Sequence, residues 1–195
     1  MALPKVFGYL RTQRPRGMLA KRMRTLTPGE LKDWCISQGV ELDDRGAPIH
    51  PHGGSSAARF DLPKDITKLT WFSRFIERSL QPREHCLLWV TAWGVWPSSE
   101  NWHLYYRLRQ SYADQRLIHE APGHLFLEFE GADLVSFVEI GVIAGWDMHL
   151  IPTIGYGRVF VSHDEWVEFA MDDPSETERI RVELSKVGLN VCSVT

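Results

Sequence analysis

Apolar and polar positions in this chain follow two periods, and the places where one gives way to the other mark its elements. Between Lys64 and Leu80 the apolar residues Ile66, Leu69, Phe72, Ile76 and Leu80 recur every three or four positions. That spacing predicts one buried stripe on an amphipathic helix, with Arg74, Glu77 and Arg78 away from it. Pro82 closes the helix. Cys86 to Val95 then runs almost unbroken in apolar residues, which predicts a strand covered on both faces in the middle of a sheet. Pro97 and a serine pair interrupt it, and Ser98 or Ser99 is placed to cap an amphipathic helix of about Glu100 to Tyr112. Four of the eight tryptophans (Trp89, Trp93, Trp96, Trp102) fall between Cys86 and Tyr112, so the core is expected to form around this stretch.

The flanking segments are read in the same way. Thr27, Pro28 and Glu30 have the form of a capping box with proline at the first helical position, followed by Leu31, Trp34 and Cys35 on one face and closed by Gly39. Residues 40–63 are rich in Gly, Pro, Ser and Asp without sustained periodicity and read as a long loop with a short extended piece at Val40 to Leu42. Leu125 to Phe129 alternates as a strand, with Leu125, Leu127 and Phe129 on one side. Ala132 to Ala144 is apolar nearly all round and is expected to be the most buried helix, with Gly141 allowing close approach and Gly145 as its stop. Met148 to Ile151 and Arg158 to Val161 flank a Gly-containing turn and predict a hairpin. Ser162-His163-Asp164-Glu165 has the capping-box form and predicts a helix over Trp166, Val167 and Phe169, and Asp173-Pro174-Ser175-Glu176 starts a last helix carrying Ile180, Leu184 and Val187. The terminal LNVCSV reads as an edge strand. Together these predict an α+β (mixed α/β) domain: a small mixed sheet of about four strands covered by helices.

Composition narrows the class. With 195 residues, 44% hydrophobic and 24% charged, the chain suits one folded domain over 25–195 behind an arm of residues 1–24. No window has the 18 or more apolar residues of a membrane span, so a soluble protein is expected. Cys35, Cys86 and Cys192 are odd in number and widely spaced, which speaks against a disulfide framework or a zinc knuckle and for a reducing, cytoplasmic setting. The N-terminus lacks the continuous apolar run of a secretory signal, although its acid-free, Arg-containing stretch has a faint likeness to a transit peptide.

Charge is the most uneven property. Of 22 lysines and arginines, seven (Lys5, Arg11, Arg14, Arg16, Lys21, Arg22, Arg24) lie in residues 1–24, where there is no acid. The remainder holds 15 basic against 25 acidic groups, a net of -10. A basic arm on an acidic body either folds back on that body or binds an anionic partner such as nucleic acid. Only Phe7 and Tyr9 are available there to stack on bases.

PSSENWHLYYRLRQSY, followed by HEAPGHLFLEF and, more distantly, SHDEWVEF, resembles a group of uncharacterised soluble bacterial proteins. The resemblance covers about half the chain, leaves out the arm, implies a bacterial cytoplasmic protein and carries over no functional residue.

Candidate chemistry is sparse. His119, Glu120 and His124, joined by His163 and Asp164 or by Asp147 and His149, supply imidazoles and carboxylates of the kind that hold a metal and activate water. Their spacing is not that of HExxH, and Ala121-Pro122-Gly123 forbids a helix through them. The competing reading makes His119 and His124 polar loop residues and Asp164 and Glu165 first-turn acids. Ser98 and Ser99 follow a strand and open a helix with His103 one turn on, but the G-x-S-x-G elbow is missing and capping accounts for them. His50, His52 and Gly53-Gly54-Ser55-Ser56 lack the lysine of a phosphate cradle, and no cysteine has an activating histidine neighbour. No cofactor is implied.

The aromatic content offers another reading, since Trp and Tyr are enriched at interface hot spots. Trp96, Glu100, Trp102, Tyr106, Glu128 and Glu130 would form an acidic, aromatic surface for a protein partner. The sequence therefore points first to a non-catalytic cytoplasmic protein-binding module of immunity, inhibitor or adaptor type. A metal-dependent hydrolase using the histidine cluster, and nucleic-acid binding through Arg11, Arg14, Arg16, Lys21, Arg22 and Arg24, stand as alternatives.

Overall fold

The computed structural model describes residues 23–49, 56–93, 99–153 and 157–191. β1 (Arg24–Leu26) leads into α1 (Pro28–Ser37) through the predicted capping box. The Glu30 N–H donates to Thr27 Oγ1 at 3.3 Å and the Thr27 N–H donates to Glu30 Oε2 at 2.8 Å, so two backbone donors left over at the helix start are satisfied reciprocally. Gly39 follows α1 with φ +67°, a left-handed conformation that glycine adopts at little cost. β2 (Ala57–Asp61) precedes α2 (Ile66–Ser79), whose first N–H groups at Thr67 and Lys68 donate to Asp65 Oδ1 at 2.7 and 3.3 Å. β3 (His85–Ala92), α3 (Ser99–Ser111), β4 (Gly123–Leu127) and α4 (Gly131–Ile143) follow. Then come β5 (Asp147–Pro152), β6 (Gly157–Ser162), β7 (Trp166–Met171) and α5 (Pro174–Lys186).

The fold is α+β. All seven strands join one sheet in the order β1-β4-β3-β5-β6-β7-β2, and every neighbouring pair is antiparallel. Side chains alternate across the sheet, so each strand supplies two faces. One face carries Cys86, Leu88 and Val90 of β3, Met148 and Leu150 of β5, Val159 and Val161 of β6 and Val167 and Phe169 of β7, and packs against α2, α3, α4 and α5. The other carries Leu87, Trp89, Leu125 and Ile151, which with Leu26, Leu31 and Cys35 form a smaller cluster under α1. β3 is thus interior and covered on both faces, as its unbroken apolar run predicts. Gly141 is where α4 approaches the sheet closely: a Cβ there would meet Met148 Sδ at 2.6 Å. Among the described residues no helix is long and apolar enough to cross a membrane.

Several expectations are corrected. The sheet has seven strands rather than about four and is antiparallel rather than mixed. The segment 40–63 is not all loop, since Ala57–Asp61 forms β2 and pairs along its whole length with β7, while Leu42 and Pro48 make an isolated bridge. The helix expected from the Ser162–Glu165 capping-box pattern is a turn followed by a strand. Ser162 Oγ accepts the Asp164 N–H at 3.2 Å, and Glu165 takes φ +65°, which breaks a helix at its first turn. The following Val167, Phe169 and Met171 alternate into the core at period two. The strand over Leu125–Phe129 ends two residues early because the chain turns at Glu128–Glu130. The 1–24 arm gives up Arg24 to β1 and Met23 to the core. In α2 the core stripe gains Phe75, and Ile66 in the first turn stays exposed. The expected edge strand at LNVCSV is represented among the described residues by one bridge, Val191 to Phe60.

Candidate functional site

A buried polar chain links α3 to β4. The Tyr105 hydroxyl lies 2.8 Å from His124 Nε2, and Arg109 Nη1 donates to that hydroxyl at 3.2 Å. Because Tyr105 accepts from Arg109, its own proton goes to His124, so Nε2 is the acceptor and the imidazole is neutral with its proton on Nδ1. Burial, with Arg109 adding to it, pushes the His124 pKa down to about 3, the carbonyls of Leu88 and Pro122 pulling weakly the other way. Burial likewise raises the Tyr105 phenol well above its ordinary value. Arg109, itself fully buried, reaches Asp114 Oδ1 at 3.2 Å, and Asp114 is further held by Arg116 and by Thr25 of β1. Burial works to raise the Asp114 carboxyl, and the hydrogen bonds and charges of Arg116 and Arg109 outweigh it, so it sits below the usual carboxylate value. Every member of this chain is sequestered or paired, which makes it a latch between α3, β4 and β1.

At the β6–β7 turn, His163 Nδ1 lies 2.8 Å from Asp147 Oδ1 and Nε2 lies 3.4 Å from Asp164 Oδ1. The Asp147 hydrogen bond favours the imidazolium and holds the His163 pKa above its ordinary value. The pair is partly open to solvent and ties the β6–β7 turn to the start of β5, with the His163 N–H also donating to Asp147 at 2.8 Å.

The sheet face opposite the main core is organised differently on its two halves. Under α1 it is apolar. From Trp89 of β3 a registered row of side chains runs across β5, β6, β7 and β2 through His149, Phe160, Glu168 and Arg59. The His149 and Phe160 rings are 4.6 Å apart and Phe160 lies 5.3 Å from Trp166. Arg59 places its guanidinium 3.8 Å over the Trp166 ring and pairs with the buried Glu168 at 3.0 Å. Asp61 lies opposite Trp166 at the rim. The α1 cluster includes no residue of β6, β7 or β2.

A fourth place lies on the helical side. Phe129 is 66% exposed, although it sits between Glu128 and a buried glutamate. It borders a cleft of about 620 Å3 between α2 and α4, lined by Thr70, Arg74, Glu77, Val135 and Glu139 among others. α4 is therefore less buried than its composition predicts, with Val135 facing this cleft and Ile143 exposed at its end.

The sequence-predicted residues are dispersed over these places. No family model matches this chain, and no curated protein or solved structure matches it either. Of the metal candidates, His119 and Glu120 are exposed on the turn Ile118–Glu120, where Glu120 accepts the Leu117 N–H at 2.7 Å. His124 is in β4, three strand spacings from β6, or about 14 Å, so it does not join His163 and Asp164. His149 is buried with its ring against Phe160, and Asp147 pairs with His163. Among the described residues no group of three or more His, Cys, Asp or Glu side chains converges as metal ligands would.

Of the partner-binding candidates, Glu128 is exposed as expected and Tyr106 is half-buried with its ring 5.6 Å from Tyr105. Glu130 is corrected: at 4% exposure it is no surface acid but the receptor of two backbone N–H groups. Trp96 lies outside the described residues, and for Glu100 and Trp102 only the backbone in α3 is described. Arg24 is exposed on β1, while Arg11, Arg14, Arg16, Lys21 and Arg22 lie outside the described residues, as do Ser98, His50, His52, residues 53–55 and Cys192. Cys35 and Cys86 are buried, and burial pushes their thiols up to about 11 and about 12, which keeps them protonated and unreactive.

Two features escaped the sequence. Phe129 reads as an inward strand residue unless the chain turns at Glu128. The Arg59, Trp166 and Glu168 group was hidden because 57–61 read as loop and 166–169 as helix; the alternation of Val167, Phe169 and Met171 is the signal that would have found it.

Proposed function

We propose that this protein is a non-catalytic binding module that receives a basic, amphipathic segment of another protein at the Phe129 cleft. The observation that carries the reading is the 66% exposure of Phe129 beside the groove between α2 and α4. A large aromatic side chain gains little by standing in water, whereas an aromatic anchor in a desolvated cleft is what interface hot spots are made of. The surroundings set the partner's chemistry. Glu128 flanks the ring, Glu139 lines the cleft opposite Arg74, Glu77 beside it is already paired with Arg83 at 2.8 Å, and the body from residue 25 onward is acidic overall. Complementary basic side chains would steer encounter and fix orientation, with the apolar contact to Phe129 and Val135 supplying affinity.

Neither alternative has a comparable observation behind it: the histidines named for a metal centre sit in separate surroundings, and five of the six bases named for nucleic acid lie outside the described residues. The test is photo-cross-linking in the host cell from p-benzoylphenylalanine at position 129, with position 182 on the exposed side of α5 as the control. The expected result is one protein adduct from position 129 alone, whose purified form binds the intact chain at least tenfold more weakly after Phe129→Ala or Glu128→Lys. Equal adducts from both positions, or affinities unchanged by both substitutions, would overturn the reading.

A further inference from the structure

Val159 and Val161 of β6 enter the main core, so by the alternation of a strand Arg158 takes the opposite face, which it shares with Ile151 of β5. Its neighbours across β7 and β2 are Ala170 and Ala57. Two methyl groups are too small to cover a guanidinium. The segment Gln38 to Glu41 that leaves α1 lies over this place, and with Ile151, Arg158 and Ala170 it lines a cleft of about 520 Å3. That is within the range of small-molecule sites, roughly 300–1,000 Å3. The Arg158 charge is felt at Cys35 of α1, in keeping with a guanidinium directed toward that helix.

Three properties of the lining select a ligand. Arg158 is half-buried, and among the described residues no hydrogen bond or ion pair engages it. A guanidinium presents its N–H donors as a planar fork that matches a carboxylate, so the floor of the cleft offers one anion position. Glu41 and Asp172 also line the cleft, both exposed and both without a side-chain partner among the described residues. Two carboxylates around one cation repel a polyanion and favour a ligand that brings a cation of its own. Lastly, Val40 and Ile151 are buried and Ile49 is partly exposed, which gives the cleft an apolar wall. We infer that this cleft binds a small zwitterion with an apolar body, an apolar amino acid or dipeptide, with its carboxylate on Arg158, its ammonium at Glu41 or Asp172 and its side chain against Ile49 and Ile151.

This site is independent of the Phe129 reading. The Phe129 cleft lies between α2 and α4 on the side of the main core, whereas Arg158 and Ile151 face the α1 side of the sheet. The rival account of Arg158 is a cation that lays its stem along the sheet and hydrates its head. The two differ in what they expect of ligands: a hydrated arginine discriminates weakly among anions, while a site with opposite charges at two positions requires both ends of a zwitterion.

Titration calorimetry on the full-length chain tests it with L-leucine and L-leucyl-L-leucine. Three comparison probes are isocaproate, which lacks the amine, isopentylamine, which lacks the carboxylate, and inorganic phosphate. At least one zwitterion is expected to bind at least tenfold more tightly than each comparison probe and to shift the amide resonances of Gly39 and Gly157, which line the cleft. Arg158→Gln is expected to weaken that binding at least tenfold, and Glu41→Gln combined with Asp172→Asn at least threefold. The probe series uses the unaltered chain and the double variant alters only exposed side chains, so a folding defect in Arg158→Gln would not decide the outcome. No zwitterion binding at millimolar concentration would make Arg158 a hydrated cation and overturn the inference. So would isocaproate or phosphate binding as tightly as the zwitterion, affinity unchanged in a folded Arg158→Gln protein, or resonance shifts confined to the α2–α4 cleft.

Discussion

Glu130 accepts the Met23 backbone N–H at 2.7 Å, joining two points 107 positions apart in the chain. The same carboxylate takes the Leu127 N–H at 2.9 Å through its other oxygen. One buried side chain thus closes the turn that ends β4 and anchors the segment that enters β1. It also sets the exposure of its neighbour, since a turn that directs Glu130 inward directs Phe129 outward.

Glu130→Gln is expected to destabilise the domain by about 2–3 kcal/mol, because a charged acceptor of two buried donors is replaced by a neutral one that offers a single carbonyl. Urea denaturation would read this as a lower midpoint at unchanged slope. A midpoint equal to that of the parent would show that the carboxylate is not what holds β1 in place.

Acid should weaken the fold through His124. Its folded pKa of about 3 lies below the unfolded value of about 6.5. The unfolded chain therefore binds the extra proton first. The stability contributed by the neutral buried imidazole is complete above pH 6.5 and is lost as pH falls toward 3, at up to about 1.4 kcal/mol per pH unit. Asp114, also depressed, adds a loss in the same direction but below about pH 4. His163 has the opposite sign, being raised, and contributes stability at low pH that disappears as pH rises through its folded value. Denaturation between pH 6.5 and 4.5 isolates the His124 effect, and His124→Gln should flatten the slope there. A slope that persists in that variant would assign the acid sensitivity elsewhere.

Gly157→Ala should cost about 1–3 kcal/mol by overpacking. A Cβ at this position would run into the Ala170 carbonyl oxygen and lie 2.8 Å from Met171 Cα, both backbone atoms of β7. Neither atom can rotate out of the way, so the β6–β7 pair would have to separate. Thermal unfolding would report the loss, and a melting temperature within a degree of the parent would show that the hairpin absorbs a methyl group here.

The α1 cap, the stripe of α2, the interior position of β3 and the β5–β6 hairpin were legible in the sequence because each is encoded by residues that lie close together along the chain. Thr27 and Glu30 are within one turn, the α2 positions repeat at the helical period, and an unbroken apolar run such as Cys86 to Val90 leaves a strand no polar face to expose. The Ser162–Glu165 pattern shows where this reasoning fails. The same four residues satisfy a helix cap or a tight turn, and the choice fell to β2, a strand from more than 100 positions away that gives β7 a ladder along its whole length.

The sequence by itself determined the class of the fold, most of its helices, and the contrast between a basic arm and an acidic body, because composition and short-range periodicity are properties of the chain alone. Only the tertiary structure decided which polar residues face one another. His124, an apparent loop ligand, became neutral and sealed beneath Tyr105; Glu130, an apparent surface acid, became a buried acceptor; Arg59, Trp166 and Glu168, unremarkable in the sequence, became one cluster. The physical reason is that burial and ion pairing depend on strand order, and β1-β4-β3-β5-β6-β7-β2 places side by side segments that the chain itself keeps apart.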